Sequence, residues 1–264
     1  MIFARTFTDT DGMNADHAVF RTIASLQGLF VRVLCIALLA ATTTATGADE
    51  TVFLDEHFDS LARWQHQPFA KIPRHSSYQA VRCDDSPCLQ LESNNSASAL
   101  VLQQQFNVYD YPQLTWRWKI SNVYRKGDSS RKEGDDYPAR LYVMFAYDPE
   151  RASVAKQLKY RLAKTLYGQY PPDSSISYIW DNRVTNATVI TNAYAGDAKM
   201  IPVSAGSDKV NTWQDYTVDI VDDYRRAFGQ DPPAIASLAV MNDSDNTGES
   251  ANSWIQYIKI FRSR

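Results

Sequence analysis

The stretch Ala234 to Arg262, AIASLAVMNDSDNTGESANSWIQYIKIFR, decides how the chain is read. It opens with an apolar run, Ile235 to Met241, and closes with an alternating run, Trp254 to Phe261. Runs of this length and composition bounded by turn residues are strands. The segment between them, Asn242-Asp243-Ser244-Asp245-Asn246-Thr247-Gly248-Glu249, is polar and turn-forming, because such residues tolerate left-handed backbone and bond it locally. A second use stays open beside the turn. Asp243, Asp245 and Glu249 offer oxygen ligands to a hard cation, with calcium as the candidate, since Asp-x-Asp sets two carboxylates on one side of an extended segment. Gly248 and Glu249 fall at the wrong offsets for an EF-hand loop.

Working outward, Gln113 to Ser121 alternates most clearly. Leu114, Trp116, Trp118 and Ile120 point one way, and Thr115, Arg117, Lys119 and Ser121 the other. After a charged loop, Tyr137 to Tyr147 repeats the pattern, with Arg140, Tyr142 and Met144 opposite Ala139, Leu141, Val143 and Phe145. Paired antiparallel, the two strands would put Arg117, Lys119, Arg140 and Tyr142 on one surface. Further strands are expected at Thr51 to Phe58, Tyr78 to Arg82, Cys88 to Glu92, Ala97 to Phe106, Ser175 to Trp180, Ala187 to Asn192 and Trp213 to Ile220. Asp148 and Pro149 read as the start of a helix whose Val154, Leu158, Leu162 and Leu166 recur every fourth residue. Its expected role is to cover a sheet edge or face, with a membrane-surface helix as the alternative. A short helix is expected over Asp219 to Phe228, ended by Gly229. Many strands, one inserted helix and long loops predict a mainly β fold, a two-sheet antiparallel β-sandwich of jelly-roll type with one inserted amphipathic helix.

Residues 1–48 read as an N-terminal extension and export signal, and 49–264 as a single sandwich domain. Arg21 and Arg32 supply positive charge, Val33 to Ala41 is a short apolar core, and small residues follow to Ala48. The polar residues before Arg21 suit Met13 as the start, and Cys35, inside the apolar core, is poorly placed for lipid attachment. The apolar run is too short to span a bilayer, so no transmembrane segment is expected after the signal is removed. The expected location is periplasmic or extracellular. There Cys83 and Cys88, around the turn Asp84-Asp85-Ser86-Pro87, are expected to form a disulfide. Six Trp and 15 Tyr suit a large sheet core, and a net charge of −3 argues against a general nucleic-acid binder.

Motifs for chemistry are missing: there is no phosphate loop, zinc-protease helix or serine elbow. His57, His66 and His75 match no local metal spacing and read as surface or turn residues. The carboxylates Asp135, Asp136, Asp243 and Asp245 stand at strand ends, where loop solvation and capping explain them. Basic side chains beside aromatic rings on a sheet also suit an anionic sugar, because an arginine forks a carboxylate and a ring stacks on a pyranose.

The strings FNVYDYPQLTWRWKI, KEGDDYPARLYVMFAYDP, SISYIWDNR, TNAYA and MNDSDNTGESANSWI resemble the exported bacterial DUF3047 family across nearly all of the chain after the leader. The resemblance implies a sandwich similar to galactose-binding-like and other carbohydrate-binding jelly rolls, and it implies no catalytic residues. Sugar binding follows from it by fold analogy alone. The expectation is an exported non-catalytic binding module for a saccharide or envelope glycan, using Arg117, Lys119, Asp136, Arg140, Tyr142, Trp180, Asn182 and Asn242. The alternatives are a glycoside hydrolase or polysaccharide lyase, with Asp136, Arg140, Tyr142 and Asp243 as its candidates, and a structural envelope protein without a small ligand. Asp243 and Asp245 are expected at the same end of the sandwich as Arg140.

Overall fold

The computed structural model describes residues 50–150, 152–167 and 170–263, and the export segment lies outside them. The strands are β1 (Thr51–Glu56), β2 (Trp64–Pro68), β3 (Ser77–Cys83), β4 (Ser86–Asn94), β5 (Ser98–Leu102), β6 (Phe106–Asn107), β7 (Gln113–Ile120), β8 (Arg140–Phe145), β9 (Ser174–Asp181), β10 (Ile190–Thr191), β11 (Ala198–Ala205), β12 (Gln214–Asp219), β13 (Ile235–Met241) and β14 (Ser250–Arg262). The helices are α1 (Val154–Tyr167) and α2 (Ile220–Phe228). The expected strands are present with shifted ends, and β2, β6 and β11 are additions.

Two sheets form. The first runs β12-β7-β14-β4-β3, with β1 also on β14. The second runs β10-β11-β9-β8-β13-β5-β2, with β6 also on β13. The fold is thus the expected mainly β sandwich, with one departure from antiparallel pairing: β9 and β11 run parallel.

The alternating strands face their apolar residues inward. Leu114, Trp116, Trp118 and Ile120 of β7 meet Leu141, Val143 and Phe145 of β8 in one core. Trp116 lies 5.1 Å from Tyr178 of β9, ring centre to ring centre, so the two sheets are bridged by aromatic packing. A separate, smaller apolar cluster joins Ala99, Ala239 and Met241 to Phe69, Val101, Tyr142 and Met144. These residues alternate with the core set along β5, β8 and β13, so they lie on the outer face of the second sheet.

One expectation about neighbours fails here. The strands β7 and β8 are consecutive yet belong to different sheets. Arg117 and Lys119 therefore cannot share a surface with Arg140 and Tyr142. The loop 242–249 likewise carries the chain from β13 in one sheet to β14 in the other. Alternation reports which side of a strand is wet; it carries no information on which strand lies beside it.

α2 begins and ends as its residues predict. The Asp219 carboxylate accepts the backbone N–H groups of Val221 and Asp222, and Gly229 closes the helix at φ 70°. α1 starts later than expected. Asp148 caps only a turn through Glu150 N, while Ser153 Oγ accepts the N–H of Lys156 at the true start. Tyr160 fixes the helix, stacking on Tyr147 at 4.2 Å and donating to the Pro172 carbonyl at 2.9 Å. Val154 and Leu158 of the expected apolar stripe stay exposed. No helix among the described residues is long and apolar enough to cross a membrane. Cys83 and Cys88 are joined in a disulfide, across the hairpin of β3 and β4.

Candidate functional site

The outer face of the second sheet carries a cavity of about 580 Å³, within the size range of small-ligand sites. Its floor crosses neighbouring strands: Ala99 and Val101 of β5, Ala239 and Met241 of β13, Tyr142 and Met144 of β8, Ser175 and Ser177 of β9. Small residues at positions 99, 239, 175 and 177 leave the space that larger side chains would fill. Phe69 and Ile72, from the loop after β2, form one wall, and Tyr194, after β10, stands opposite with its ring exposed. One end is polar, made by Asp135, Arg140, Asn192, Asp243, Asp245 and Asn246.

The polar end is built around Arg140. Its guanidinium is buried and fully engaged. Nε reaches Asp243 Oδ1 at 3.0 Å, and Nη2 reaches Asp243 Oδ2 at 2.6 Å. Nη2 also donates to the Asp135 carbonyl, and Nη1 donates to the Tyr142 hydroxyl at 3.0 Å. The Tyr137 ring lies beneath, 4.1 Å from the guanidinium carbon. Burial pushes the Asp243 carboxyl up, Asp136, Asp135 and Asp245 add to the push, and Arg140 opposes it. The two-pronged grip on both oxygens is the geometry of an ionised carboxylate, and the same contact raises the Arg140 pKa against the burial that lowers it. Tyr142 is pushed up to about 12, chiefly by burial, so its hydroxyl stays protonated.

Asp136 sits behind this pair. Its oxygens accept the backbone N–H groups of Asn246, at 3.3 Å, and Thr247, at 2.6 Å. Burial raises its pKa, against those hydrogen bonds. The carboxylate thus pins the loop 242–249 and does not line the cavity.

Asp243, Asp245 and Arg140 do lie together, as the sequence led us to expect. The cation site does not take the expected form. The carboxylates whose oxygens come within 4.8 Å of one another are Asp136, Asp243 and Asp245. Glu249 is elsewhere, accepting the backbone N–H groups of Arg125 and Lys126. Calcium suits the set poorly. Both Asp243 oxygens are held by a guanidinium, and both Asp136 oxygens by amides, so Asp245 alone of the three has a carboxylate free to bind a cation.

Three residues expected at the ligand are structural. Trp180 is fully buried in the core, its Nε1 donating to the Gly206 carbonyl at 3.0 Å. Asn182 accepts the Tyr124 N–H at 2.7 Å and donates to the Asp136 carbonyl at 2.6 Å. Asn242 donates to the Leu91 and Ala251 carbonyls and to Ser253 Oγ, and accepts from the Tyr124 hydroxyl. Burial on both faces of β9 hid the place of Trp180 from any alternation argument. Arg117 and Lys119 lie on the outer face of the first sheet, beside the Trp213 ring, with Lys119 4.7 Å from its centre and 5.1 Å from that of Trp254.

The sequence reading overlooked Asn192, Tyr194 and Asn246 as site residues. Asn192 Nδ2 donates to Asp135 Oδ2 at 2.8 Å, and Asn246 Nδ2 donates to the Tyr194 hydroxyl at 2.8 Å. The segment Thr191-Asn192-Ala193-Tyr194 was among the strings carrying the family resemblance, and that was the signal available.

Solved structures similar to this chain include three carbohydrate-recognition proteins. The family 11 carbohydrate-binding module from Clostridium thermocellum, in complex with a β-1,3-1,4-mixed-linked tetrasaccharide, is 9% identical with a TM-score of 0.39, covering 80% of this chain and 94% of that one. The family 30 carbohydrate-binding module of a Clostridium thermocellum cellulosomal cellulase is 14% identical with a TM-score of 0.39, covering 80% and 98%. The Emp47p carbohydrate recognition domain is 14% identical with a TM-score of 0.40, covering 81% and 95%. These likenesses are loose, and the chemistry of the site rests on this chain's own residues. No curated protein matches the sequence. The family model described as "Protein of unknown function (DUF3047)" matches residues 62–259, and the chain belongs to that family.

Proposed function

We propose that the protein is an exported, non-catalytic binding module whose ligand is a saccharide or envelope glycan, held on the outer face of the second sheet. The observation that carries this is the cavity itself: an open sheet face where the rings of Tyr142 and Tyr194 stand beside hydrogen-bonding groups of Asp245, Asn192 and Asn246. Sugars present apolar ring faces and a rim of hydroxyls, and such a surface answers both. The Cys83–Cys88 disulfide supports an oxidising compartment, periplasmic or extracellular. The carboxylates argue against hydrolysis. Asp243 is tied to Arg140, and Asp136 is spent on backbone amides away from the cavity. A glycosidase needs two carboxyl groups free to face one bond, and with Asp135 held by Asn192 and Arg140, Asp245 alone of the carboxylates lining the cavity is free.

The test is a glycan array with the wild-type chain and Tyr142→Ala. Binding to a glycan class that Tyr142→Ala weakens supports the proposal. Flat arrays for both would favour a structural envelope role, and release of reducing ends or unsaturated uronates from bound glycans would favour an enzyme.

A further inference from the structure

The charged lining of the cavity is one-sided. It consists of three carboxylates, Asp135, Asp243 and Asp245, and one guanidinium, Arg140. Arg140 is neutralised by Asp243, whose two oxygens it grips. Asp135 shares the same guanidinium, its Oδ1 lying 3.6 Å from Arg140 Nη1, so two carboxylates divide one cation and Asp245 faces the largely apolar space without an ion pair among the described residues. Asp135 is 5% exposed. Its Oδ2 is satisfied by Asn192, while its Oδ1 is buried without a hydrogen-bond partner. Its ion pair is with the guanidinium that Asp243 also draws on. A buried acceptor without a donor costs free energy, and a guanidinium shared with Asp243 offsets only part of it. Asp245 is half-buried at the same end, and its carboxylate takes no hydrogen bond or ion pair among the described residues. Lys132 Nζ stands 5.3 Å from the Tyr194 ring centre and is not part of the lining.

Such a site repels an anionic ligand. Arg117 and Lys119, the other basic residues that could have welcomed one, lie on the opposite sheet. From the cavity, its surplus of carboxylates over the single guanidinium and the unpaired Asp245, we propose that the saccharide is a deacetylated amino sugar, whose primary ammonium docks at the acidic end while its ring lies on the apolar floor. The inference rests on the saccharide function proposed above. The ammonium would be met by Asp245 directly and by Asp135 behind it, with the rings of Tyr142 and Tyr194 adding cation–π attraction. Low polarity around the floor strengthens each of these contacts.

The experiment is calorimetric titration of the full chain at about pH 6, where a sugar amine is protonated. Four tetramers are compared: glucosamine, N-acetylglucosamine, glucose in the same β-1,4 linkage, and galacturonate. The glucosamine tetramer is expected to bind at least about tenfold tighter than the acetylated and neutral forms, and galacturonate weakest. Asp245→Asn, checked for an unchanged melting temperature, is expected to narrow the ratio between glucosamine and glucose tetramers toward one. Equal affinity for the acetylated or neutral tetramer overturns the inference and leaves the saccharide function standing. A galacturonate preference does the same. Failure of all four to bind overturns both. Hexylamine binding as tightly as the amino sugar would overturn the sugar as the source of the ammonium.

Discussion

Arg140 at the start of β8 grips both carboxylate oxygens of Asp243, just past the end of β13, at 3.0 and 2.6 Å. Both side chains are buried. Removing one partner strands the other's charge away from water. Asp243→Ala should therefore destabilise the fold by about 3–5 kcal/mol, measured by denaturant unfolding. The double variant Arg140→Met with Asp243→Leu should lose less than the sum of the two single losses, by more than about 1 kcal/mol. Strict additivity would show that the pair is not coupled.

Calcium should leave the melting temperature unchanged, because Arg140 holds both Asp243 oxygens and backbone amides hold both Asp136 oxygens, which leaves one carboxylate, Asp245, and too few ligands for the ion. A ligand of the native state raises stability by mass action. A shift on adding calcium that chelator reverses would restore the metal site.

Asp181 yields a pH prediction. Burial raises its pKa from the ordinary 3.8, against hydrogen bonds from Arg183 N, Ser129 Oγ and Asn182 N. A carboxyl whose folded-state pKa exceeds its unfolded one binds more protons in the native state, so its contribution is present at low pH and lost as pH rises from 3.8 through the raised value. Asp181→Asn keeps an acceptor for Arg183 N, offers Ser129 Oγ an N–H donor where the carboxylate accepted its hydroxyl, and carries no charge. Its melting temperature relative to wild type should climb with pH across that interval. A difference that stays flat, or falls, would contradict the assignment.

The Cys83–Cys88 bridge closes a short loop, five residues apart in sequence. Chain entropy then gives about 2 kcal/mol, so Cys83→Ser with Cys88→Ser should lower stability by roughly that amount without unfolding the domain. Loss of folding altogether would mean that the hairpin of β3 and β4 depends on the bridge.

The two outer faces can be told apart by binding. Tyr142→Ala should weaken glycan binding about tenfold or more, since it removes a stacking ring from the cavity. Lys119→Ala should leave it unchanged. The reverse result would move the site to the first sheet, where Lys119 stands between Trp213 and Trp254.

Much of the fold was legible because it is written locally. The alternation of Leu114, Trp116, Trp118 and Ile120 names a strand and its inner face. Asp219 and Gly229 bracket α2 by their capping chemistry. Strand partnership is set by the packing of distant segments, so the sequence suggested a shared face for Arg117 and Arg140 that the topology denies. Site residues were legible where charge was the clue, as with Arg140, Asp243 and Asp245. They were missed where the clue was smallness. Ala99, Ala239 and Ser177 make the cavity by what they lack, and an alanine in a strand announces nothing of the kind. Trp180 misled for the opposite reason: a large ring suggests a sugar platform, and this one is core.

Asn242 has a consequence for how the molecule comes apart. Its amide is satisfied by carbonyls at positions 91 and 251, a hydroxyl at 253 and the phenol of Tyr124. The residue itself follows β13 of the second sheet, while Leu91, Ala251 and Ser253 belong to the first. No half-assembled state can satisfy it, because its reward arrives only when both sheets are home. A buried amide of this kind acts as an all-or-none switch on assembly, penalising every intermediate in which one sheet stands without the other. The two layers should accordingly melt in a single transition, with hydrogen-exchange protection in β4 and β13 lost together.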